Sequence, residues 1–292
     1  MMERWCLVIA VLGSIGCQWV LAQSHAIANI HAIPSDLVVP KVIDGAPAPA
    51  KRVWQTLPGY EEWDHLAHTV YLPAEWKPAK RYPVIVEYPG NGNFKNNLGD
   101  ISTGKVEDCK LGYGMSGGRG FIWICLPFLD VKGKKHAIQW WGDPDATAAY
   151  CRQAVAGVCR DWGGDPNNVI LTGFSRGAIA CGYIGLRDEA TSKLWRAMVP
   201  HSHYDGVRRW GYPEDDVESA RKRLARFGGK PQFITQETSV EAIRQYLDGA
   251  RVRGATLVPL PFPNHTDEWV LKDCAERRQL RAWLADVVKP AP

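Results

Sequence analysis

Val169-Ile170-Leu171-Thr172-Gly173-Phe174-Ser175-Arg176-Gly177-Ala178-Ile179-Ala180 runs from an apolar stretch, through a serine with glycines two before and two after it, into a run of small residues. The glycine-x-serine-x-glycine pattern is weak alone, and an ordinary turn serine is the competing reading. Its context is more specific. A strand that enters a helix through so sharp a turn strains the serine backbone, and the flanking glycines keep neighbouring chains from colliding. Ser175 is therefore expected to be a nucleophile held at the end of a buried strand.

Strand and helix signals alternate on both sides of this stretch. Strands are expected at 68–72, 82–88, 121–126, 169–171, 196–200, 232–235 and 256–260, several of them continuous apolar runs of the kind buried on both faces of a parallel sheet. Helices are expected at 146–162, 176–186, 217–227, about 240–252 and 268–288. Thr238-Ser239-Val240-Glu241 has the spacing of a capping box opening the fourth of these, and Gly112-Tyr113-Gly114-Met115-Ser116-Gly117-Gly118 reads as a flexible loop. The alternation predicts an α/β fold, a mostly parallel central sheet with helices on both faces and the ligand site at the strands' carboxyl ends.

A serine hydroxyl needs a base to take its proton. His265, in Pro263-Asn264-His265-Thr266-Asp267, lies after the last expected strand, where the chain order serine, acid, histidine puts the base. Two carboxylates compete for the third place. Glu237 follows the strand 232–235 and Asp205 follows the strand 196–200; both lie between Ser175 and His265, so chain order does not choose, and Glu237 is preferred. An oxyanion hole needs two backbone N–H groups. Arg176, next to the nucleophile, is one candidate donor, and Pro89-Gly90-Asn91-Gly92-Asn93, after the strand 82–88, offers Asn91 or Gly92 as the other.

Pro89-Gly90-Asn91-Gly92, the run from Asp165-Pro166-Asn167 through Gly177, and Asn264-His265 together resemble the α/β-hydrolase superfamily, most closely its secreted esterase and polyhydroxybutyrate-depolymerase-like branch. The resemblance covers residues 82–292 and implies an ester hydrolase with a serine, acid and histidine triad. The sequence departs from the family pattern in two places. Gln236-Glu237-Thr238 replaces the usual aspartate after the penultimate strand, and Ala178 stands where a second glycine is frequent.

The rest of the chain bounds these readings. Thirty-five basic against 31 acidic residues leave a charge of +4 spread along 292 residues, which argues against a nucleic-acid footprint. Arg4, the apolar residues after it and Val20-Leu21-Ala22 read as an export signal over 1–22, with a lipoprotein anchor at Cys17 as the lesser alternative. The product is expected to be secreted or periplasmic, without stable membrane insertion. A proline-rich extended arm is expected at 23–60, and the catalytic domain at 61–292. Six cysteines remain after the signal, and bridges and buried thiols are both open. Trp140 and Trp141, beyond the strand 121–126, are candidate substrate-binding faces, with core packing as the bland alternative. His201 and His203 alternate on an extended segment without a completing ligand set, so neither metal nor cofactor is expected. The function expected is a secreted carboxylesterase, with carbohydrate or polymer esters as possible substrates. A serine peptidase on the same fold and a non-catalytic binding module compete with it.

Overall fold

The computed structural model describes residues 29–288. The export segment expected at 1–22 lies outside the described residues. One sheet of nine strands organises the described chain: β1 Val42–Ile43, β2 Arg52–Gln55, β3 His68–Tyr71, β4 Tyr82–Tyr88, β5 Ile122–Cys125, β6 Gly164–Phe174, β7 Ala197–His201, β8 Gln232–Glu237 and β9 Ala255–Leu260. Their spatial order is β1-β2-β3-β5-β4-β6-β7-β8-β9. The strand β3 is antiparallel to both neighbours, and every other pair is parallel.

Helices α1 Leu111–Ser116, α2 Pro144–Asp161, α3 Arg176–Tyr183, α4 Glu189–Ser192, α5 Val217–Ala225, α6 Glu241–Gly249 and α7 Ala275–Val287 cover the sheet. Because successive strand residues face opposite sides, Val169 and Leu171 of β6 pack among α2, α3, α5 and α6, while Ile170 packs among α1 and α7. All three are fully buried, and burying each such side chain stabilises the fold by about 1.5–3 kcal/mol. This explains the continuous apolar run: both faces of the central strand are covered. The long helix α2 starts on Asp143, whose carboxylate accepts the Ala146 N–H at 2.8 Å, with Pro144 in the first turn.

Four local expectations are corrected. The 23–60 arm is not merely extended, since its residues 42–43 and 52–55 are β1 and β2 and extend the sheet beyond β3. Residues 112–116 belong to α1, not to a loop. The expected closing helix 268–288 divides into a 3-10 turn, Glu268–Leu271, and α7, because Lys272 is extended and its ammonium turns in to the Ile33 carbonyl. The capping box at Thr238 does not form: Thr238 sits at φ 57°, and Ser239 Oγ accepts the Glu241 N–H.

The six cysteines among the described residues are free thiols. Cys109 and Cys125 approach each other beside Glu87, with candidate ligand atoms within 4.8 Å. The Glu87 carboxylate is already engaged. It accepts from the N–H groups of Lys110, Leu111 and Gly112 at 2.8–3.1 Å and from Trp123 Nε1 at 2.8 Å, while Arg52 donates to Cys125 Sγ at 3.2 Å. Burial pushes the Glu87 carboxyl up and those backbone N–H groups pull it down. The cluster therefore anchors α1 to β4 and β5, with Glu87 and Cys125 Sγ committed to hydrogen bonds.

Candidate active site

Ser175 joins β6 to α3 at φ 54° and ψ −112°, a backbone conformation that costs a non-glycine residue on the order of 1–3 kcal/mol. Its own N–H donates to the His201 carbonyl at 2.9 Å, which ties the turn to the neighbouring β7. The two glycines of the pattern are required by close backbone approach. A Cβ on Gly173 would stand 2.3 Å from the Gly177 carbonyl oxygen, and one on Gly177 would stand 2.1 Å from that of Tyr88. Gly177→Ala must therefore displace β4 or α3. It is expected to cost about 3 kcal/mol or more, read as a lowered midpoint in thermal unfolding; an unchanged midpoint would show that the elbow can relax.

His265 stands on the loop after β9, and Glu237 ends β8. His265 Nε2 lies 2.9 Å from Ser175 Oγ, and His265 Nδ1 lies 3.0 Å from Glu237 Oε1. With Nδ1–H donated to the carboxylate, the Nε2 lone pair faces the serine hydroxyl, the tautomer a general base needs. Gln236 Nε2 donates to the other Glu237 oxygen at 2.9 Å, and Ser202 Oγ donates to Oε1. Glu237 thus faces three hydrogen-bonding partners and is nearly buried, with 9% of its side chain exposed.

Asp205 is elsewhere. It packs against Gly182 of α3 and accepts from Arg223 Nε at 2.9 Å, Arg223 Nη2 at 3.0 Å and the Tyr212 hydroxyl at 3.1 Å. Both members of the ion pair are 4% exposed. It is a buried structural pair, away from the His265 imidazole.

Of the three expected oxyanion donors, Arg176 and Asn91 line the cleft over Ser175 and Gly92 does not. Arg176 is the first residue of α3, so its N–H has no acceptor a turn back in the helix. Asn91 lines the cleft beside Ser175, and its Oδ1 accepts the Trp140 N–H at 2.8 Å. The Gly92 N–H is consumed by the Ile138 carbonyl at 2.8 Å, which removes Gly92 from the candidates. Its glycine identity has a packing cause, since a Cβ there would meet the Ile138 and Thr103 carbonyl oxygens at 2.6 and 2.7 Å.

The cleft over Ser175 has a volume of about 190 Å³ and is walled by Phe94, Trp140, Ile179, His203 and Trp210. Trp140, 41% exposed, faces Trp210 with ring centroids 6.2 Å apart. Trp141, its ring 6.2 Å from that of Trp140, is buried beneath. It is 4% exposed and packs on Phe128, Tyr183 and Tyr212, so the expectation that it meets substrate is replaced by core packing. The Arg176 side chain pins this wall from behind, donating to the Ala137 carbonyl at 3.0 Å and to the Trp140 carbonyl, and lying over the Phe128 ring.

Sequence reasoning missed Phe94, Ile179, Ser202 and Trp210 as neighbours of the site and considered His203 only as a metal ligand. The His203 ring lies tilted, 5.2 Å from that of His265 and 4.9 Å from that of Trp210. Burial and the neighbouring His265 push its imidazole down to about 4, so it is neutral near pH 7. His201 is fully buried, bonded to Thr235 Oγ1 and to the Thr266 carbonyl, each at 2.9 Å. Loop residues of this kind carry no periodicity, and only the strand-end position of 201–203 gave a signal.

Neither protein-family models nor curated proteins give a match to this sequence. Solved structures do. A feruloyl esterase module from Clostridium thermocellum, complexed with sinapinate, superposes with a TM-score of 0.52 at 14% identity, over 86% of this chain and 94% of that one. One of two fungal esterases from Rhizomucor miehei gives 0.54 at 14% identity, over 86% and 84%. A chain assigned as a dipeptidyl aminopeptidase IV of Bacteroides ovatus gives 0.54 at 13% identity, over 81% of this chain and 36% of that one, so the present chain spans about a third of it. The chain has the α/β-hydrolase fold.

Proposed function

We propose that the chain is a serine carboxylic-ester hydrolase that works through Ser175, His265 and Glu237. The observation that carries the reading is the continuous relay of hydrogen bonds, 2.9 Å from serine to imidazole and 3.0 Å from imidazole to carboxylate. His265 Nε2 takes the Ser175 proton as Oγ attacks the ester carbonyl, and Glu237 stabilises the imidazolium that forms. The backbone N–H groups of Arg176 and Asn91 receive the oxyanion. The imidazolium then protonates the departing alcohol, and water, activated by the same base, releases the acid from the acyl-enzyme.

The resemblance of the elbow and loop motifs to secreted and polyhydroxybutyrate-depolymerase-like esterases supports this reading, as does the apolar N-terminal stretch in favour of export. Four aromatic rings, those of Phe94, Trp140, His203 and Trp210, favour an ester with a flat face, an aromatic acyl group or a sugar; the feruloyl esterase with the same fold was solved with sinapinate. A serine peptidase is the second reading, favoured by the dipeptidyl aminopeptidase that shares the fold. The test is turnover of p-nitrophenyl acetate and of acetyl, butyryl, feruloyl and glucuronoyl esters beside peptide anilides. Ester turnover without anilide turnover is expected, and the reverse would sink the esterase reading.

Trp140→Ala separates the cleft wall from the chemistry. Losing one stacking face is worth about 0.5–1.5 kcal/mol, so KM for the preferred aromatic or sugar ester is expected to rise about tenfold at most. The rate with p-nitrophenyl acetate is expected to hold within about twofold. An equal loss on both substrates would place Trp140 in support of Asn91 instead.

A further inference from the structure

A base on a loop needs its backbone held, because loops lack the ladder that fixes a strand. The His265 N–H donates to Asp100 Oδ2 at 2.8 Å, and Asn264 Nδ2 donates to Asp100 Oδ1 at 2.8 Å. Asp100 is fully buried, 165 residues earlier in the chain, and accepts two further bonds, from Asn96 Nδ2 at 2.7 Å and His31 Nε2 at 2.9 Å. Burial alone would raise its carboxyl; the bonds from Asn264, Asn96, His31 and the His265 backbone outweigh that and hold it below the usual carboxylate range. Every neighbour that faces the group is a donor, which suits only an ionised carboxylate.

The same node gathers two other segments. Asp100 directly precedes the strand of a short hairpin, Ile101–Ser102 paired with Phe94–Lys95, and the Phe94 ring stands edge-on to the His265 imidazole at 5.0 Å. From the N-terminal side, the Ile30 N–H donates to Asn264 Oδ1 at 2.8 Å, Asn29 Oδ1 accepts from Asn264 Nδ2 at 3.1 Å, and His31 Nδ1 faces Glu268 at 3.1 Å. Further along, the Asp36 and Leu37 N–H groups donate to the Leu271 carbonyl. Residues 29–37 therefore run as a strap against the loop that carries the base.

We propose that Asp100, held by the 29–31 strap, is a positioning residue that fixes the 264–265 backbone so that the His265 imidazole spans Ser175 and Glu237. The proposal rests on the ester-hydrolase reading of this site. Asp100 touches none of the cleft over Ser175, so its loss acts on the step that needs the base. A displacement of the base by about 1 Å costs on the order of 10²-fold in rate.

Asp100→Asn replaces one acceptor oxygen by a donor facing donors. Its kcat on p-nitrophenyl acetate is expected to fall about 10- to 100-fold with KM within about twofold, and the downfield proton resonance of the His265–Glu237 bond is expected to weaken or vanish. The variants His31→Gln and His31→Leu give the same answer without touching the carboxylate. Glutamine keeps a donor toward Asp100 and retains most of kcat, while leucine loses several-fold. Wild-type kcat in Asp100→Asn, or equal behaviour of the two His31 variants, overturns the proposal and leaves the esterase reading intact. A wild-type chain that turns over no ester while keeping the downfield resonance sinks the esterase reading; loss of that resonance in Asp100→Asn would still support the positioning of His265.

Discussion

Ser175→Ala is expected to lower kcat by about 10⁴-fold or more while leaving the fold in place. The two halves of this expectation have separate physical origins. The hydroxyl is the atom that attacks, and no other nucleophilic side chain lines the cleft close to an oriented base: His203, the remaining candidate, is a neutral imidazole with no carboxylate bonded to it among the hydrogen bonds of the site. Structurally the hydroxyl does little. It does not cap α3, and its hydrogen bond is to His265, so its removal costs about 1 kcal/mol or less. Fluorophosphonate labelling should disappear with turnover. His265→Ala should lower kcat by a comparable factor, and the double variant should be no slower than either single one, because a nucleophile and its base act as a unit. Retained turnover in Ser175→Ala, or multiplicative losses in the double variant, would show that the chemistry happens elsewhere.

The elbow was readable because its demands are local. The continuous apolar run on β6, glycines at a close approach and small residues on α3 all lie within a dozen positions, and each has a steric cause that survives in the fold. His265 was readable from chain order alone. The short strands β1 and β2, at one end of the sheet, were not, since two to four residues among prolines leave no periodicity. Trp140 and Trp141 are adjacent yet differ in burial, 41% against 4% exposed, a difference that no composition records. Asp100 gave no signal either, because its meaning lies in donors from 4, 69, 164 and 165 positions away. Chain order did not choose between Glu237, the preferred acid, and Asp205 for the same reason: the partner that claims Asp205 comes from α5, a helix whose side-chain direction only packing sets.

The two acids are expected to fail in opposite ways, and this contrast tests the site most sharply. Glu237→Gln keeps the size and much of the hydrogen bonding of the side chain but removes the charge that stabilises the imidazolium. It is expected to cost about 10²- to 10⁴-fold in kcat with little change in thermal stability. Asp205→Ala instead strands a guanidinium that is 4% exposed. Removing one partner of a buried pair costs about 3–5 kcal/mol, a fall of roughly 10 °C in the unfolding midpoint for a domain of this size, while kcat per folded molecule stays within about threefold. Because that penalty comes from the unpaired Arg223, not from lost catalysis, replacing both partners by apolar residues, Asp205→Leu with Arg223→Met, should recover much of the stability. Should Asp205→Ala lose turnover in its folded fraction while Glu237→Gln keeps it, the relay through Glu237 would not be the working one, and the acid would have to reach His265 by a rearrangement of α5.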